Sequence, residues 1–240
     1  MNYFAHGRRF VDSPYFLAGT AVPDWLNIAD RRVRVRGKHA TPFADDADSR
    51  IAGLARGILQ HHRDDAWFHG TWAFVEMSLE MTVLLRDALP EDRGFRPSFL
   101  GHILVELLLD SVLIAQQPRT LDAYYETLET VDPAVVQAAV NQMAPRPTQG
   151  LQELIPRFLA ARFLPDYAED GKLWFRLNQV MSRVGLPALP ASFCDVLPQA
   201  RRRVRDRWRE LAASPEEPDN NDLAARTPVL HRLDPRETTA

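Results

Sequence analysis

The sequence predicts an all-α protein. Apolar residues recur at helical spacing in almost every long segment, and prolines with capping residues break these segments at intervals that suit helices. No run rich in Val, Ile and Thr alternates between apolar and polar positions between hairpin turns, as a sheet would need. With 240 residues, 45% of them hydrophobic and 25% charged, the chain is long enough for one sizeable core. We therefore expect a single-domain helical bundle over residues 1–213, followed by a disordered tail over residues 214–240.

Caps and breaks place the predicted helices in order. Ser13 and Pro14 form a good start for the first helix, which Pro23 is expected to disturb, so that Asp24 would lie at a helix break. Gly70 marks either the end of the second helix or a kink before the third. The other segments that we predict as helical are 47–69, 72–89, 98–116, 121–130, a short one from 133, 151–167, 173–184 and 192–213.

Composition excludes several classes of protein. A single cysteine, Cys194, excludes an internal disulfide and a multi-cysteine zinc site, so any metal would be held by His, Asp and Glu. The net charge is -3, and the basic runs at 31–38 and 201–209 are too short and too poor in aromatic residues to predict nucleic-acid binding. No apolar stretch has the length of a signal peptide core or approaches the ~18 residues of a membrane span. We expect a soluble cytoplasmic protein with no membrane span.

The first set of ligand-type side chains lies in the second predicted helix. His61, Asp65 and His69 are spaced by four residues, so on a helix they project from one face over two turns. His62 points about 100° away from that face and is a candidate for contacting substrate or supporting a ligand, as is Arg63 beside it. We take Asp65, His62 and Arg63 as the candidate catalytic residues. A solvated surface with an ordinary hydrogen bond between side chains four residues apart is the alternative interpretation.

The second set repeats the same spacing in a more apolar helix. His102, Glu106 and Asp110 are separated mostly by Ile, Leu and Val. A helix that is apolar on most sides is expected to be buried, and a carboxylate buried without a partner costs several kcal/mol, on the order of 2–7. Metal ions would meet that need, and a buried ion pair with one of the many arginines is the alternative. Two such sets in one chain favour a metal site.

Two further residues join the candidate metal ligands. Asp24 follows Pro23 and could point into a cleft, and His6 lies in an apolar segment at the start of the chain. A helix cap or a polar group in the core would explain either residue taken singly. The full candidate ligand set is His6, Asp24, His61, Asp65, His69, His102, Glu106 and Asp110.

Four blocks in the first half of the chain resemble the acyl carrier protein phosphodiesterase family. Met1-Asn-Tyr-Phe-Ala-His6 is similar to that family's Met-Asn-Phe-Leu-Ala-His, and Gly19-Thr-Ala-Val-Pro-Asp24 to its Gly-Asn-Leu-Leu-x-Asp. His61-His-Arg-Asp-Asp-Ala-Trp-Phe-His69 is similar to His-Arg-x-Ile-Asp-Ala-Phe-Thr-Asp, and Glu106-Leu-Leu-Leu-Asp-Ser-Val-Leu113 to Asp-x-x-Tyr-Asp-His-Phe-Leu. The four blocks stand in the family's order.

The chain also departs from the family's pattern. The family has Asp where this chain has His69 and Glu106, and His where it has Ser111, while His102 is an addition. These exchanges keep ligand types but alter the set, so the resemblance implies the metal site more strongly than the substrate. A helical site with His, Asp and Glu ligands also resembles the zinc-dependent phospholipase C group.

The resemblance implies a helical bundle of the HD phosphohydrolase type and hydrolysis of a phosphate ester, in that family on an acidic carrier protein. Mixed carboxylate and imidazole ligands suit one or two divalent ions of Mn, Fe, Zn or, less well, Mg. The basic run 31–38 would contact phosphate or an acidic partner, or else form a solvated loop. The rival hypothesis is a non-catalytic helical protein that uses a metal or a buried polar network for structure or partner binding.

Overall fold

The computed structural model describes residues 1–89 and 94–213, and within these ranges the protein is entirely helical, as predicted. The predicted tail and part of the predicted loop before the sixth helix lie outside the described residues. The α-helices are α1 (Tyr3–Gly7), α2 (Pro14–Ala29), α3 (Gly37–Ala40), α4 (Ser49–Gly70), α5 (Trp72–Ala88), α6 (Pro97–Gln116), α7 (Pro118–Glu129), α8 (Pro133–Met143), α9 (Leu151–Ala161), α10 (Asp170–Arg183), α11 (Leu197–Asp206) and α12 (Trp208–Ala212), with short 3-10 helices at Thr41–Phe43, Leu164–Ala168 and Ala191–Val196.

Side-chain caps fix the two ends of α4, the helix that carries the first set of ligand-type residues. The Asp48 carboxylate accepts a hydrogen bond from the backbone N–H of Arg50 and begins the helix. At its end, Gly70 is the last helical residue, and the Thr71 hydroxyl accepts from the N–H of Phe74 to begin α5. The prediction that Gly70 ends one helix before another starts is therefore confirmed.

The predicted disturbance at Pro23 is wrong, because α2 runs from Pro14 to Ala29 with Pro23 inside it. Proline lacks the N–H that would bond to the carbonyl of Gly19, and such a loss usually bends or ends a helix. Here α2 makes the most extensive helix–helix contact of the described chain, with α4, and this packing maintains the helix beyond the proline. Asp24 therefore lies within a helix and not at a break.

Two glycines let α2 and α4 approach until their backbones touch. A Cβ atom on Gly19 would lie 2.4 Å from the carbonyl oxygen of Leu54, and one on Gly57 would lie 2.1 Å from that of Phe16. No larger side chain fits either position without separating the helices. Because His61 is one turn beyond Gly57 on α4, this crossing sets how closely its side chain approaches the backbone of α2.

Helix α6 lies at the centre of the bundle and contacts α1, α5, α7, α11 and α12. By length and composition alone it is the one helix of the described residues that could cross a membrane, and 56% of its most apolar window is buried inside the fold. Its apolar side chains form part of a continuous core, which accounts for their composition without a membrane. The same helix carries the second set of ligand-type residues.

Candidate functional site

The α4 residues predicted to share one site divide between two groups. His61 and Asp65 meet His6 from α1, and we call these three residues the inner triad. The Nε2 atom of His61 lies 3.4 Å from Asp65 Oδ2, and that of His6 lies 3.3 Å from Asp65 Oδ1. Both imidazoles are buried and stack with their ring centres 4.1 Å apart. Two imidazoles thus face one carboxylate in the protein interior.

The ring orientation of both inner histidines is set by contacts on their other nitrogen. His61 Nδ1 lies 2.8 Å from the carbonyl oxygen of Thr20 on α2, so it must be the donor in that bond. His6 Nδ1 lies 3.3 Å from Oδ2 of Asp64, a buried carboxylate. Holding Nδ1 in this way directs each Nε2 toward Asp65, the arrangement that carboxylates and carbonyls impose on metal-binding histidines.

The remaining residue of the α4 stripe, His69, joins the second set of ligand-type residues. His69 Nε2 lies 2.9 Å from Glu106 Oε1, and His102 Nε2 lies 3.2 Å from the same oxygen. We call these three residues the outer triad, because the two imidazole side chains are 34% and 38% exposed, whereas the inner imidazoles are buried. Both rings also contact Phe74 at the start of α5.

The α-amino group of Met1 connects the two triads. Its nitrogen donates to Asp65 Oδ1 at 2.9 Å and to Glu106 Oε1 at 3.2 Å. Burial alone would lower the pKa of this amino group, but the charges of Glu106 and Asp65 outweigh burial and raise it. A positive charge thus lies between Asp65 and Glu106, although it comes from the amino terminus and not from the metal ion or arginine that the sequence suggested.

Positive neighbours keep both triad carboxylates ionised despite burial. Burial alone would raise the pKa of Asp65, but the close imidazoles of His6 and His61 and the charge of the amino terminus hold it well below its usual range. For Glu106, burial is likewise the largest influence, and the amino terminus and the outer imidazoles again lower the pKa overall. The site therefore presents two stable anions.

Asp24 extends the inner triad from α2. Its Oδ2 atom is buried and has no hydrogen-bond partner among the described residues. Burial raises the pKa of Asp24, and the nearby imidazoles of His61 and His6 only partly offset this. A buried carboxylate oxygen without a partner beside two aligned imidazoles fits a metal ligand set, since a cation would satisfy it.

The pKa of His61 responds to the same carboxylates. Burial would lower the pKa of this imidazole, but the hydrogen bond to Asp65, the charge of Asp24 and the bond to the Thr20 carbonyl raise it overall. An imidazolium at this position would balance part of the negative charge when no metal is bound.

Asp110 is not brought to either triad. It is fully buried, and its two carboxylate oxygens accept hydrogen bonds of 3.0 Å and 2.8 Å from the backbone N–H groups of Phe4 and Ala5. These are first-turn amides of α1, so Asp110 satisfies donors that the helix leaves free. Its spacing from Glu106 matched that of a ligand, but its function in the fold is to hold α1, and with it His6, against α6.

Two predicted catalytic residues are not members of either triad, although the His62 ring meets the His61 ring edge-on with ring centres 5.6 Å apart. His62 Nε2 contacts the carbonyl oxygen of Val35 at 2.7 Å, and Arg63 donates to the side chain of Gln60 at 2.6 Å. Of the predicted catalytic residues, the structure brings only Asp65 into the site. His62 packs against a histidine of the inner triad, and Arg63 is connected to the site only through Gln60, which donates to Asp64.

Asp64 and the amino terminus were not identified from the sequence as part of the site. Asp64 accepts from Gln60 Nε2 at 2.8 Å and contacts His6, so it supports the inner triad from behind. The available signal was its spacing from Gln60, because residues four apart lie on the same face of a helix. Nothing in the sequence pattern indicated the contacts of the Met1 amino group.

A cleft with a volume of about 360 Å³ opens beside the two triads. Its lining includes Asp24, Met1 and Glu106, which we call its floor; Glu106 belongs to the outer triad, and the inner-triad residues do not line the cleft. A cleft of this size accommodates a small organic ligand. Among the candidate metal ligands, Asp24 and Glu106 line this cleft.

No known family model, curated protein or solved structure matches this chain.

Proposed function

We propose that this protein is a metal-dependent phosphoric ester hydrolase in which the inner triad holds the principal divalent ion. One observation carries the proposal: both inner imidazoles have Nδ1 held by a hydrogen-bond acceptor and Nε2 directed at Asp65. The Nε2 atoms of His6 and His61 lie 3.3 Å and 3.4 Å from the Asp65 oxygens, close to the separation of about 3.3–3.6 Å between tetrahedral ligands with bonds of about 2.0–2.2 Å.

Some of the candidate ligands would hold the ion in the protein interior, and another lies where a substrate would approach it. His6 and His61 would hold it from the buried side, and Asp65 would complete the inner set. Asp24 lines the cleft, and its buried Oδ2 atom, without a hydrogen-bond partner among the described residues, would be a further ligand. When bound, divalent ions in such mixed ligand sets supply Lewis-acid activation of water and of phosphoryl oxygens.

The outer triad is the proposed site of a second ion. Glu106 presents one oxygen to two imidazoles, but these side chains are more exposed, and no aligning acceptor for their other nitrogen is present among the described residues. Weaker orientation of the ligands predicts weaker binding than at the inner triad. The Met1 amino group contacts one carboxylate of each proposed position.

A second candidate function is favoured by the amino group itself. It already contacts Asp65 Oδ1 and Glu106 Oε1, the oxygens that the triad imidazoles also face, and so supplies a cation to the two carboxylates without any metal. In that case the triads would form a closed polar network that fixes α1 between α4 and α6, and the protein would act by binding a partner. The two functions differ in whether the purified protein binds divalent ions.

Metal analysis together with an activity assay tests the proposal. The protein carries its tag at the C-terminus, so that the Met1 amino group stays free, and is treated with chelator and titrated with Mn²⁺ and Zn²⁺ by calorimetry. Hydrolysis of bis(4-nitrophenyl) phosphate and 4-nitrophenyl phosphate is then followed with each ion. We expect at least one tightly bound ion and metal-dependent hydrolysis of one ester.

Asp65→Asn is the decisive variant, because it removes the carboxylate that both inner imidazoles face while keeping the shape of the side chain. We expect it to weaken metal binding at least 100-fold and to abolish hydrolysis, on the order of 2.7 kcal/mol or more. Asp122→Asn, at an exposed carboxylate, is the matched control and should behave like the unmodified protein. Absence of metal binding in the unmodified protein would instead support the closed network.

A further inference from the structure

Apolar side chains line part of the cleft beside the triads. Phe99, Ile103 and Leu107 of α6 line one side, and Phe163 and Val180 line the other. Four of these five residues are only partly buried, so they keep apolar surface available to a ligand. A phosphate group alone would leave this surface in contact with water.

The outer end of the cleft is basic. Arg31 and Arg34, from the predicted basic run, and Arg183, from the end of α10, line it and are exposed. None of these three guanidinium groups has a carboxylate partner among the described residues. Arg31 instead donates to the carbonyl oxygen of Arg183 at 3.3 Å, and Arg34 donates to the side chain of Asn27.

Arg31, Arg34 and Arg183, which we call the rim arginines, differ from Arg176 in having no carboxylate partner among the described residues. Arg176 also lines the cleft, but its guanidinium lies 2.5 Å from Asp166 Oδ2 and rests 4.9 Å from the ring centre of Phe163. The charge of Arg176 is thereby compensated within the protein. The rim arginines keep donors and charge that an incoming anion could use.

The cleft lining therefore combines three kinds of group: carboxylates at the floor, apolar side chains that are mostly only partly buried, and the exposed rim arginines, which have no carboxylate partner among the described residues. We propose that its substrate is an elongated phosphodiester whose organic group carries an apolar segment followed by a second anionic group. The phosphodiester would bind at the floor, the apolar segment along the α6 side, and the distal anion at the arginine rim. This proposal rests on the proposed hydrolase function and adds the substrate class.

Three 4-nitrophenyl phosphodiesters test how these kinds of group are arranged. Their second ester group is methyl, hexyl or 5-carboxypentyl, so that chain length and terminal charge vary separately. With the metal-loaded protein we expect KM to fall about 5-fold from methyl to hexyl and about 10-fold further for the carboxypentyl ester, in line with partial burial of methylenes and one charge-assisted contact.

Two variants assign the effects to the apolar side chains and the rim arginines. Arg34→Gln combined with Arg183→Gln should raise KM for the carboxypentyl ester about 10-fold and leave the hexyl and methyl values within 2-fold. Ile103→Ala should raise KM for both long esters and spare the methyl ester. Arg157→Gln on α9, whose side chain is 77% exposed and does not line the cleft, is the matched control.

The outcomes separate this inference from the proposed function. Hydrolysis of all three esters with equal KM, or an equal rise in all three KM values in the double arginine variant, would overturn the substrate class and leave the hydrolase function standing. Failure of every ester with every added ion would contradict the hydrolase function, and the substrate class would fall with it. Circular dichroism of each variant shows that the comparison is made on folded protein.

Discussion

His61 is oriented by a carbonyl oxygen of another helix: its Nδ1 atom lies 2.8 Å from the backbone oxygen of Thr20 on α2. Side-chain acceptors can move with their rotamers, but a helix carbonyl moves only with its helix. The direction of His61 Nε2 toward Asp65 therefore depends on the separation of α2 and α4, which Gly19 and Gly57 keep small.

Gly57→Ala should destabilise the protein and weaken metal binding together. A Cβ atom at this position would lie 2.1 Å from the carbonyl oxygen of Phe16, so the helices must separate. We expect the free energy of unfolding to fall by about 1–3 kcal/mol, as for overpacked cores, with weaker Mn²⁺ binding. Urea denaturation and calorimetry measure the two effects.

Gly171→Ala on α10 is the matched control, because a Cβ atom there meets nothing within 4 Å. It should leave stability equal or slightly higher, since alanine has the better helix propensity. Equal stability of the Gly57 and Gly171 variants would show that the close approach of α2 and α4 is not required.

Asp64→Asn should weaken metal binding without removing a ligand. The Asp64 carboxylate accepts from Gln60 through one oxygen and contacts His6 Nδ1 through the other. An amide accepts on one side only, so one of these contacts is lost. Changes of this kind cost roughly 10–100-fold in metal affinity, and titration with Zn²⁺ measures the loss.

The control for this variant is Asp206→Asn, at a carboxylate that is 69% exposed. Affinity in Asp64→Asn equal to that of Asp206→Asn would contradict the positioning role of Asp64. Loss of affinity with unchanged thermal stability in the absence of metal would assign the effect to ligand orientation and not to folding.

The helical fold and most of the residues that meet in the two triads could be predicted from the sequence, because both depend on local spacing. The period of apolar residues is a property of one helix, and so is the alignment of His61, Asp65 and His69 on one face. The division of that face between two triads depends on which helices pack against each turn. That information is long-range, and the spacing of four residues does not contain it.

Asp110 and Pro23 each show how a tertiary contact can overrule a prediction from local sequence. Asp110 has the spacing of a ligand, but its carboxylate meets the free amides at the start of α1, which come from a distant part of the chain. Pro23 has the local signature of a break, but packing of α2 on α4 keeps the helix intact. In both residues a tertiary contact outweighs the local signal.

His102→Gln should remove one bound ion and leave the fold intact. His102 is a partly exposed member of the outer triad, with its side chain 38% exposed, so its loss opens no core cavity. We expect the stoichiometry of Mn²⁺ to fall from two ions to one, with the tighter site retained. His61→Gln, in the buried triad, should remove the tighter site instead. An unchanged stoichiometry in His102→Gln would contradict a second ion at the outer triad.

Asp110 should make stability depend on pH. Burial raises its pKa from 3.8 to about 7, although the amides of Phe4 and Ala5 act in the opposite direction. The folded protein therefore binds a proton more readily than the unfolded chain between these two values. Stability from this group is present below pH ~4 and is lost as the pH rises toward ~7, by at most about 1.4 kcal/mol per pH unit.

Asp110→Asn isolates this contribution, since the amide does not titrate. The difference in unfolding free energy between the unmodified protein and the variant should decrease as the pH rises from about 4.5 to 7 and stay constant above about 8. Urea denaturation of both proteins across this range, without added metal, measures the difference. Parallel pH profiles would show that Asp110 has the same pKa in the folded and unfolded states, and that the α1 amides fully offset the cost of its burial.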